Sequence, residues 1–487
     1  MSHLASFLAR RTDPDQRSRR VLTREEALVL AKAILEMVTE PALGVQIDHR
    51  VMTFARITRN NQIGCAEVDR LRLQFLTHLG GALQVDIDSN VRDIATLKRV
   101  IAHAEARLTP PIRKEDEEED DPDAPIHTAL GPRTYVPVSM WRDSTQHAMN
   151  AVQGETIARM VTAMQESNCN CAGMVGMLSR VKLRMSVMGL VAWGEETDSE
   201  LTVTARTPDG KASGWSGQAS RDWGTIRPGQ VVQQAVEMAN RNRGAVRFEP
   251  GRYTTILGSA AVGSLLAAMR PLFDIAELGP FRLPQPINGR MTRIGERIFD
   301  ERISLVSDPS DPEHGDYPFF DGGYPSGKAS WVEHGVLRHL SANPSDALDY
   351  GITPFKLPDA IRMSGGTTSI EEMIAQCDRG IYVHRLSQID LVDRHSGSML
   401  GTTRDGCFLI KDGKIQTPIV NLRFYDSPFL AFNRVLAIGA PERVAFGPPT
   451  PPPFSDQDPM ELWPHAPVVV PPLMVRDFNF SALADAV

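Results

Sequence analysis

The chain has 487 residues, including twelve histidines, and their spacing limits the chemistry they could support. The closest two, His334 and His339, are five residues apart. On a helix that spacing places them about 140° apart around the axis, too far for both to bind one metal ion. The surrounding EHGVLRHL pattern predicts a strand, a turn and a second strand. His384 and His395 flank a polar turn-like segment, where a solvated or hydrogen-bonded role is expected.

The five cysteines give a weak signal for metal or nucleophilic chemistry. Cys169 and Cys171 form a C-x-C pair, but no second pair of cysteines or histidines follows nearby, as a zinc site would require. A small, odd number of cysteines is typical of free thiols in a reducing cytosol. Cys377 or Cys407 could serve as a nucleophile with one of the two histidines beside the polar turn. Cys377, however, lies in a helical pattern, where a packed cysteine is the usual explanation.

Other common catalytic patterns are missing from the sequence. It contains no H-E-x-x-H, Walker A, G-x-S-x-G or dinucleotide-binding fingerprint. Asp390 and Asp393 could form a carboxylate pair, but carboxylates are also common beside turns and have no recognisable partner here. Trp215 and Trp223 lie in a glycine- and serine-rich stretch. For these two tryptophans, packing in the core or in a lid is favoured over ligand stacking.

The charge of the chain is concentrated in one short run. Lysine and arginine total 52 against 60 aspartate and glutamate, so the net charge is −8. Residues 114–123 hold eight acids and one lysine, which leaves the rest of the chain close to neutral. A neutral body argues against a nucleic-acid partner, which requires a basic surface. No apolar stretch reaches the roughly 20 residues of a membrane span, and the N-terminal arginines follow the short apolar segment, so a cytoplasmic protein is expected.

Hydrophobic periodicity predicts an α+β protein with strands concentrated in its C-terminal half. Thr23 and Glu26 form a capping box that opens a helix reaching to about residue 39. The predicted ranges are a disordered arm at 1–22, an N-terminal α/β domain at 23–111, an acidic linker at 112–143, a middle α+β domain at 144–245 and a β-rich domain at 246–487.

More detailed patterns define the elements within these ranges. Apolar alternation predicts strands at 44–48, 52–59, 71–79 and across 176–206. Helical periodicity predicts helices at 91–107, 144–166, 231–241 and, from small residues, 256–269. Turn dipeptides are present at 321–323, 334–335, 405–406 and 412–413.

Several of these segments together resemble the TldD/PmbA family, also called the TldD/TldE or modulator of DNA gyrase family. The resemblance runs through FEPGRYTTILGSAAVGSLLAAM at 248–269, the stretch 362–424 with its Asp-Gly-Lys turn, residues 433–439 and VVVPPLMVRDFNFS at 468–481. Residues 53–64 resemble an N-terminal strand of the same family. The segments occur in the expected order and cover most of residues 24–481.

Catalytic members of this family carry an H-E-x-x-x-H helix, typically HEAVGH, whose histidines bind zinc together with a later cysteine. Aligned on its central AVG, this chain reads SAAVGS, with Ser259 and Ser264 at the histidine positions and Ala260 at the glutamate position. Serine is a poor zinc ligand, and alanine cannot accept a proton from water. No cysteine follows Cys407. The sequence therefore resembles the TldE/PmbA kind of subunit, which lacks its own zinc.

The resemblance implies a non-catalytic subunit of a heterodimeric zinc metallopeptidase. The partner would be a TldD-like subunit that supplies the zinc, this chain would hold no cofactor, and the substrate would be an unfolded peptide or a precursor-peptide leader. The residues expected along the substrate path are Ser259, Ala260, Gly263 and Ser264. The alternative is an independent peptide-binding or scaffolding protein without a protease partner.

Overall fold

The structure is a computed structural model. It describes residues 20–38, 42–77, 82–87, 93–106, 131–149, 152–275, 293–320, 323–343, 347, 353–357, 359–394, 396–447 and 467–484. Almost all of the predicted disordered arm, the acidic run at 114–123 and His395 lie outside these residues.

Six antiparallel strands form the first sheet, and they come from both the predicted N-terminal and the predicted middle domain. The order is β3-β2-β1-β4-β5-β6, with β1 paired to both β2 and β4. The two ranges therefore share one sheet. The strands are β1 (Ala42–Thr58), β2 (Asn61–Thr77), β3 (Ala82–Ile87), β4 (Asn170–Ser186), β5 (Val191–Arg206) and β6 (Ser213–Ser220).

Among the described residues, five helices accompany this sheet, and apolar residues from each of them are buried in one core with residues of its strands. The capping box is confirmed, because the Thr23 side chain accepts from the amide of Glu26 at 3.2 Å and the Glu26 carboxylate accepts from the amide of Thr23 at 2.8 Å. The single helix predicted at 144–166 is instead two helices, α3 and α4. The helices are α1 (Arg24–Leu35), α2 (Ile94–Glu105), α3 (Asp143–Ala148), α4 (Gln153–Glu166) and α5 (Pro228–Arg241).

The C-terminal half consists mainly of two further sheets. The second sheet has the order β12-β11-β8-β13-β20-β19; the third has the order β14-β7-β21-β17-β15-β16, with β18 on β21 and a further pairing of β14 with β15. The strands are β7 (Gly251–Leu257), β8 (Leu305–Ser307), β9 (Phe319–Phe320), β10 (Tyr324–Pro325), β11 (Ala329–Glu333), β12 (Val336–Leu337), β13 (Ile361–Met363), β14 (Arg379–Asp393), β15 (Ser398–Lys411), β16 (Lys414–Pro418), β17 (Leu422–Asp426), β18 (Val435–Ile438), β19 (Glu442–Arg443), β20 (Val468–Val470) and β21 (Leu473–Leu483).

Three short helices complete this half, and the first of them contains the predicted small-residue segment. α6 contributes Ala261, Val262, Leu265, Leu266 and Met269 to the second core, which also receives residues of both C-terminal sheets. The predicted α+β class with a strand-rich C-terminal region is confirmed. The helices are α6 (Ser259–Met269), α7 (Ile370–Ala375) and α8 (Pro428–Ala431).

Two local predictions are wrong. The separate strands predicted at 44–48 and 52–59 are one continuous strand, β1. Asp405 and Gly406 lie inside β15 and do not form a turn, although both have positive φ, at 54° and 144°. The turns at His334-Gly335 and Asp412-Gly413 are confirmed, since each lies between paired strands. In the part of the chain with described coordinates, no helix has both the length and the apolar character needed to cross a membrane.

Candidate functional site

A cavity of about 620 Å³ lies between the first sheet and the C-terminal half. Its walls are the edge strand β6, one side of α5, the start of α6 and residues 442–445. Ser259 and Ala260, two of the four predicted substrate-path residues, line it. Gly263 and Ser264 are not among its lining residues.

Strand β6 presents one backbone edge on the side away from β5. The carbonyl of Ser213 accepts from Asn242 Nδ2 at 3.1 Å, and the carbonyl of Trp215 lies 2.9 Å from His384 Nε2, so both point away from β5. In an antiparallel pair every second residue has the same orientation, so the backbone groups of Gly217 and Ala219 also point away from β5. Both line the cavity, and neither makes an outward backbone hydrogen bond to another described residue.

A buried hydrogen-bond chain fixes the proton of His384. Because the carbonyl of Trp215 can only accept, His384 Nε2 must carry the hydrogen. Burial lowers the pKa of His384, so the ring is neutral and its Nδ1 accepts. The hydroxyl of Tyr382, 3.2 Å from this nitrogen, therefore donates to it. Burial raises the pKa of Tyr382, which keeps this hydroxyl protonated and leaves its oxygen lone pairs as an acceptor at the cavity.

The start of α6 has unused hydrogen-bonding capacity. Gly258, the N-cap residue, has no side chain to bond the first-turn amides, and its carbonyl accepts from Ala261 and Val262 at 2.8 and 3.0 Å. The amides of Ser259 and Ala260 are left without an intrahelical partner. Ser259 is 4% exposed, and its Oγ has no hydrogen-bond partner among the described residues.

The other two predicted substrate-path residues serve the packing of α6. Ser264 Oγ donates to the carbonyl of Ala260 at 2.8 Å, within the helix. A Cβ at Gly263 would lie 2.9 Å from Cγ2 of Val444, so this glycine permits close packing against the segment that forms a cavity wall.

The side chains at the family's zinc positions do not fit a zinc ion. Ser264 is committed to a helix carbonyl, Ala260 has no donor atom, and the neutral hydroxyl of Ser259 is a weak ligand beside imidazole or thiolate. A search of the described residues finds no group of three or more His, Cys, Asp or Glu side chains suited to a metal.

The wall at 442–447 is held against the first sheet by two buried carboxylates of β5. Arg443 Nη2 donates to both carboxylate oxygens of Asp198, at 2.8 and 2.6 Å. The carboxylate of Glu200 accepts from the amide of Phe446 at 2.9 Å and from that of Gly447. Burial raises the pKa of Glu200 to about 7.

The remaining sequence candidates do not assemble into a catalytic group. Cys377 and Cys407 are buried, and burial raises the pKa of Cys407 to about 12, which makes its thiol a poor nucleophile. Within the described coordinates neither thiol is hydrogen-bonded to His384. Asp393 accepts from Ser396 Oγ at 2.5 Å beside the β14–β15 turn.

The aromatic and C-x-C candidates have separate locations. Trp215 lines the cavity, whereas Trp223 packs against the core of the first sheet. Cys169 and Cys171 are buried free thiols in that same core.

Other groups at the cavity were not predicted from the sequence. These are the outward backbone of β6, the Tyr382 hydroxyl and the pair of carboxylates on β5. For the outward backbone of β6, the only sequence signal is the run SGWSGQAS, whose small residues are compatible with close approach of another backbone.

In this α+β protein, a strand edge and a helix start face one cavity between the two halves. Residues 250–482 match the family model of the PmbA/TldA metallopeptidase C-terminal domain. The resemblance to the TldD/PmbA family is thereby confirmed.

Solved structures agree with this fold along nearly the whole chain. A protein described as a modulator of DNA gyrase from Thermotoga maritima superposes with a TM-score of 0.71 at 15% identity, covering 94% of this chain and 100% of its own. TldE from Thermococcus kodakarensis gives a TM-score of 0.71 at 16% identity, covering 93% of this chain and 99% of its own. At these identities the likeness shows the fold alone.

Curated relatives match more locally. A metalloprotease TldD homolog from Buchnera aphidicola is 24% identical over 235 residues, which are 44% of this chain and 46% of the relative. A metalloprotease from Methanothermobacter thermautotrophicus is 26% identical over 167 residues, 32% of this chain and 36% of the relative. The chain thus spans less than half the length of these relatives.

Proposed function

We propose that this chain is a peptide-binding, TldE-like subunit that works with a zinc-bearing, TldD-like partner and does not hydrolyse peptides alone. The family of residues 250–482 supports a role in metallopeptidase chemistry. Serine and alanine at the zinc-motif positions support assigning the zinc and its activated water to the partner.

The observation that carries the proposal is the outward edge of β6 inside the cavity. Gly217 and Ala219 present backbone groups there that have no partner among the described residues, and an extended peptide can pair with such an edge as an additional strand. Main-chain pairing is largely independent of side chains. An unfolded peptide or a precursor-peptide leader is therefore the substrate class that fits.

A proline at position 219 tests the strand-edge mode directly. The Ala219 amide points away from β5, so Ala219→Pro removes a donor toward the cavity while the β5–β6 ladder stays intact. We expect an unstructured fluorescent peptide to bind at least about tenfold more weakly, the effect of losing roughly 1.4 kcal/mol. Fluorescence anisotropy measures the affinity, and the melting temperature reports on folding.

Ala219→Val is the matched control, because it adds similar bulk and keeps the amide. Its affinity should stay within about threefold of the wild type. If the proline variant folds normally and binds as well as the valine variant, peptides do not pair with β6 and the proposal loses its main support.

The partner is identified by affinity capture from the native host, followed by mass spectrometry of the copurifying chains. The proposal expects a chain with an H-E-x-x-x-H motif, and peptide cleavage when the two chains are mixed. An independent scaffolding protein would copurify with no such chain. Elemental analysis of this chain alone should find no stoichiometric zinc; a ratio near one would contradict the assignment of zinc to the partner.

A further inference from the structure

The start of α6 has the features of an anion site within the cavity. The amides of Ser259 and Ala260 have no partner among the described residues, and a helix N-terminus carries partial positive charge. Ser259 Oγ is a second, independent donor: it is 96% buried, lines the cavity and has no partner among the described residues. A buried hydroxyl without a partner is costly unless a ligand completes its hydrogen bonding.

Among the residues that the structure describes, no side chain caps this helix. A Cβ on Gly258 would lie 2.8 Å from the carbonyl oxygen of His384, so no residue with a capping side chain fits there without backbone movement. The first turn of α6 contains no acidic residue. No acceptor for these donors is therefore present among the described residues.

The cavity wall carries charged groups of both signs, and Arg241 is the cation without an ion-pair partner among the described residues. Arg443 is neutralised by Asp198, and the carboxylate of Glu237 accepts from Gln233 at 2.8 Å. Glu442 adds a further negative charge to the wall. Arg241 forms no ion pair with a described carboxylate; it lies 5.8 Å from the centre of the Phe408 ring, close enough to Tyr382 for its charge to act on the pKa of that hydroxyl.

We propose that the start of α6 binds a carboxylate of the peptide that occupies the cavity, through Ser259 Oγ and the amides of Ser259 and Ala260. This inference rests on the proposed peptide-binding function. The carboxylate could be the C-terminus of the peptide or an Asp or Glu side chain, since both offer the same two acceptor oxygens. The serine at a former zinc-ligand position then has a binding role of its own.

The test compares three versions of one uncharged, unstructured peptide: with a free C-terminus, with a C-terminal amide, and amidated with one internal aspartate. A charge-assisted hydrogen bond contributes about 1.5 kcal/mol or more, which corresponds to roughly tenfold in affinity. We expect the wild type to bind at least one of the two carboxylate peptides about tenfold more tightly than the plain amide. Which of the two binds tightly identifies the source of the carboxylate.

Two variants connect this preference to the helix. Ser259→Pro removes the hydroxyl and one amide, and proline is favoured at the first helical position, where the extended Gly258 (ψ 160°) can precede it. The preference should fall to about twofold or less in this variant and to an intermediate value in Ser259→Ala. Ser264→Ala removes a hydroxyl bonded inside the same helix, away from the cavity, and should leave the preference unchanged.

The outcomes separate this inference from the function on which it rests. If the wild type binds the amidated peptide as tightly as both carboxylate peptides, α6 holds no carboxylate, although the peptide-binding function stands. If Ser259→Pro folds and retains the full preference, the carboxylate is bound elsewhere and the assignment is wrong. If none of the peptides binds, the proposed function itself fails.

Discussion

Glu200 illustrates how one side chain stabilises the wall of the cavity and also makes it sensitive to pH. It lies on β5 with 3% of its surface exposed. Burial raises its pKa, the amide of Gly447 lowers it, and the nearby charge of Asp198 raises it further, to about 7 against 4.5 for an ordinary glutamate. The folded state therefore binds a proton between about pH 4.5 and 7 that the unfolded state has released.

Replacing Glu200 by glutamine should increase stability at alkaline pH. A raised carboxyl pKa contributes stability that is fully present below about pH 4.5 and is lost as the pH rises through about 7. Glutamine keeps an acceptor oxygen for the amides of Phe446 and Gly447 and carries no charge. At pH 8 Glu200→Gln should raise the free energy of unfolding by up to roughly 3 kcal/mol, and at pH 4.5 by almost nothing.

Urea denaturation at pH 4.5, 6 and 8 measures this difference. Glu155→Gln, at an exposed site on α4, is the control and should behave like the wild type at each pH. A Glu200→Gln protein less stable than the wild type at pH 8 would mean that the two amides stabilise the ionised carboxylate by more than burial costs it.

The positions that align with the family's zinc motif can be located from the sequence because that motif is contiguous. Ser259, Ala260 and Ser264 can be aligned without any knowledge of the fold. The contact of Glu200 with Gly447 joins residues 247 positions apart, and nothing local to either residue indicates it. Long-range contacts of this kind decide the walls of the cavity, so its shape could not be predicted.

Among the elements, α6 packs closely against one wall of the cavity. A Cβ at Gly263 would lie 2.9 Å from Cγ2 of Val444, and the position tolerates no larger side chain unless the cavity wall moves. Gly263→Leu should therefore destabilise the protein by about 1–3 kcal/mol and weaken peptide binding, because Val444 must move. Melting temperature and peptide anisotropy measure the two effects.

Ala267→Leu, on a partly exposed face of the same helix, is the matched control and should change neither quantity. Gly263→Ala combined with Val444→Ala should recover most of the loss caused by Gly263→Ala alone. Without that recovery, the conflict at position 263 would not be with Val444.

Element prediction succeeded where local chemistry decides the outcome and failed where distant partners do. The capping box at Thr23 fixed the start of α1. Strand β1 was divided in two because polar His49 interrupts its apolar alternation, yet His49 is 1% exposed and bonded to the amide of Leu22 and to Asp69. Asp405-Gly406 has the positive φ values of a turn, but Arg385 and Ser213 bind the Asp405 carboxylate within the fold.

At the scale of the whole molecule, the two halves meet through buried polar contacts. Arg443 of the C-terminal half binds Asp198 of the first sheet, and their side chains are 8% and 4% exposed. Tyr317 of the C-terminal half lies against the same sheet, with Lys182 Nζ 4.3 Å from its ring centre. A buried charged group needs its partner in place, so such pairs make the position of one half depend on the position of the other.

The pair of Asp198 and Arg443 should show strong coupling in a double-mutant cycle. Asp198→Asn leaves the buried Arg443 guanidinium with only its longer contact to Glu313, at 3.6 Å, and Arg443→Met leaves the Asp198 carboxylate without its ion-pair partner. Each single variant should cost about 3–5 kcal/mol, because an uncompensated buried charge is expensive. The double variant removes both charges, so it should lose clearly less than the sum of the single variants.

Chemical denaturation of the four proteins measures the coupling, which should exceed about 1 kcal/mol. The exposed pair Arg159–Glu155 on α4 provides a reference cycle, where the coupling should stay below about 0.5 kcal/mol. Among the Asp198 and Arg443 variants, the less stable proteins should also bind peptide more weakly, because Arg443 belongs to the cavity wall. Additive losses at Asp198 and Arg443 would mean that water reaches this contact, and that the apolar cores alone hold the two halves together.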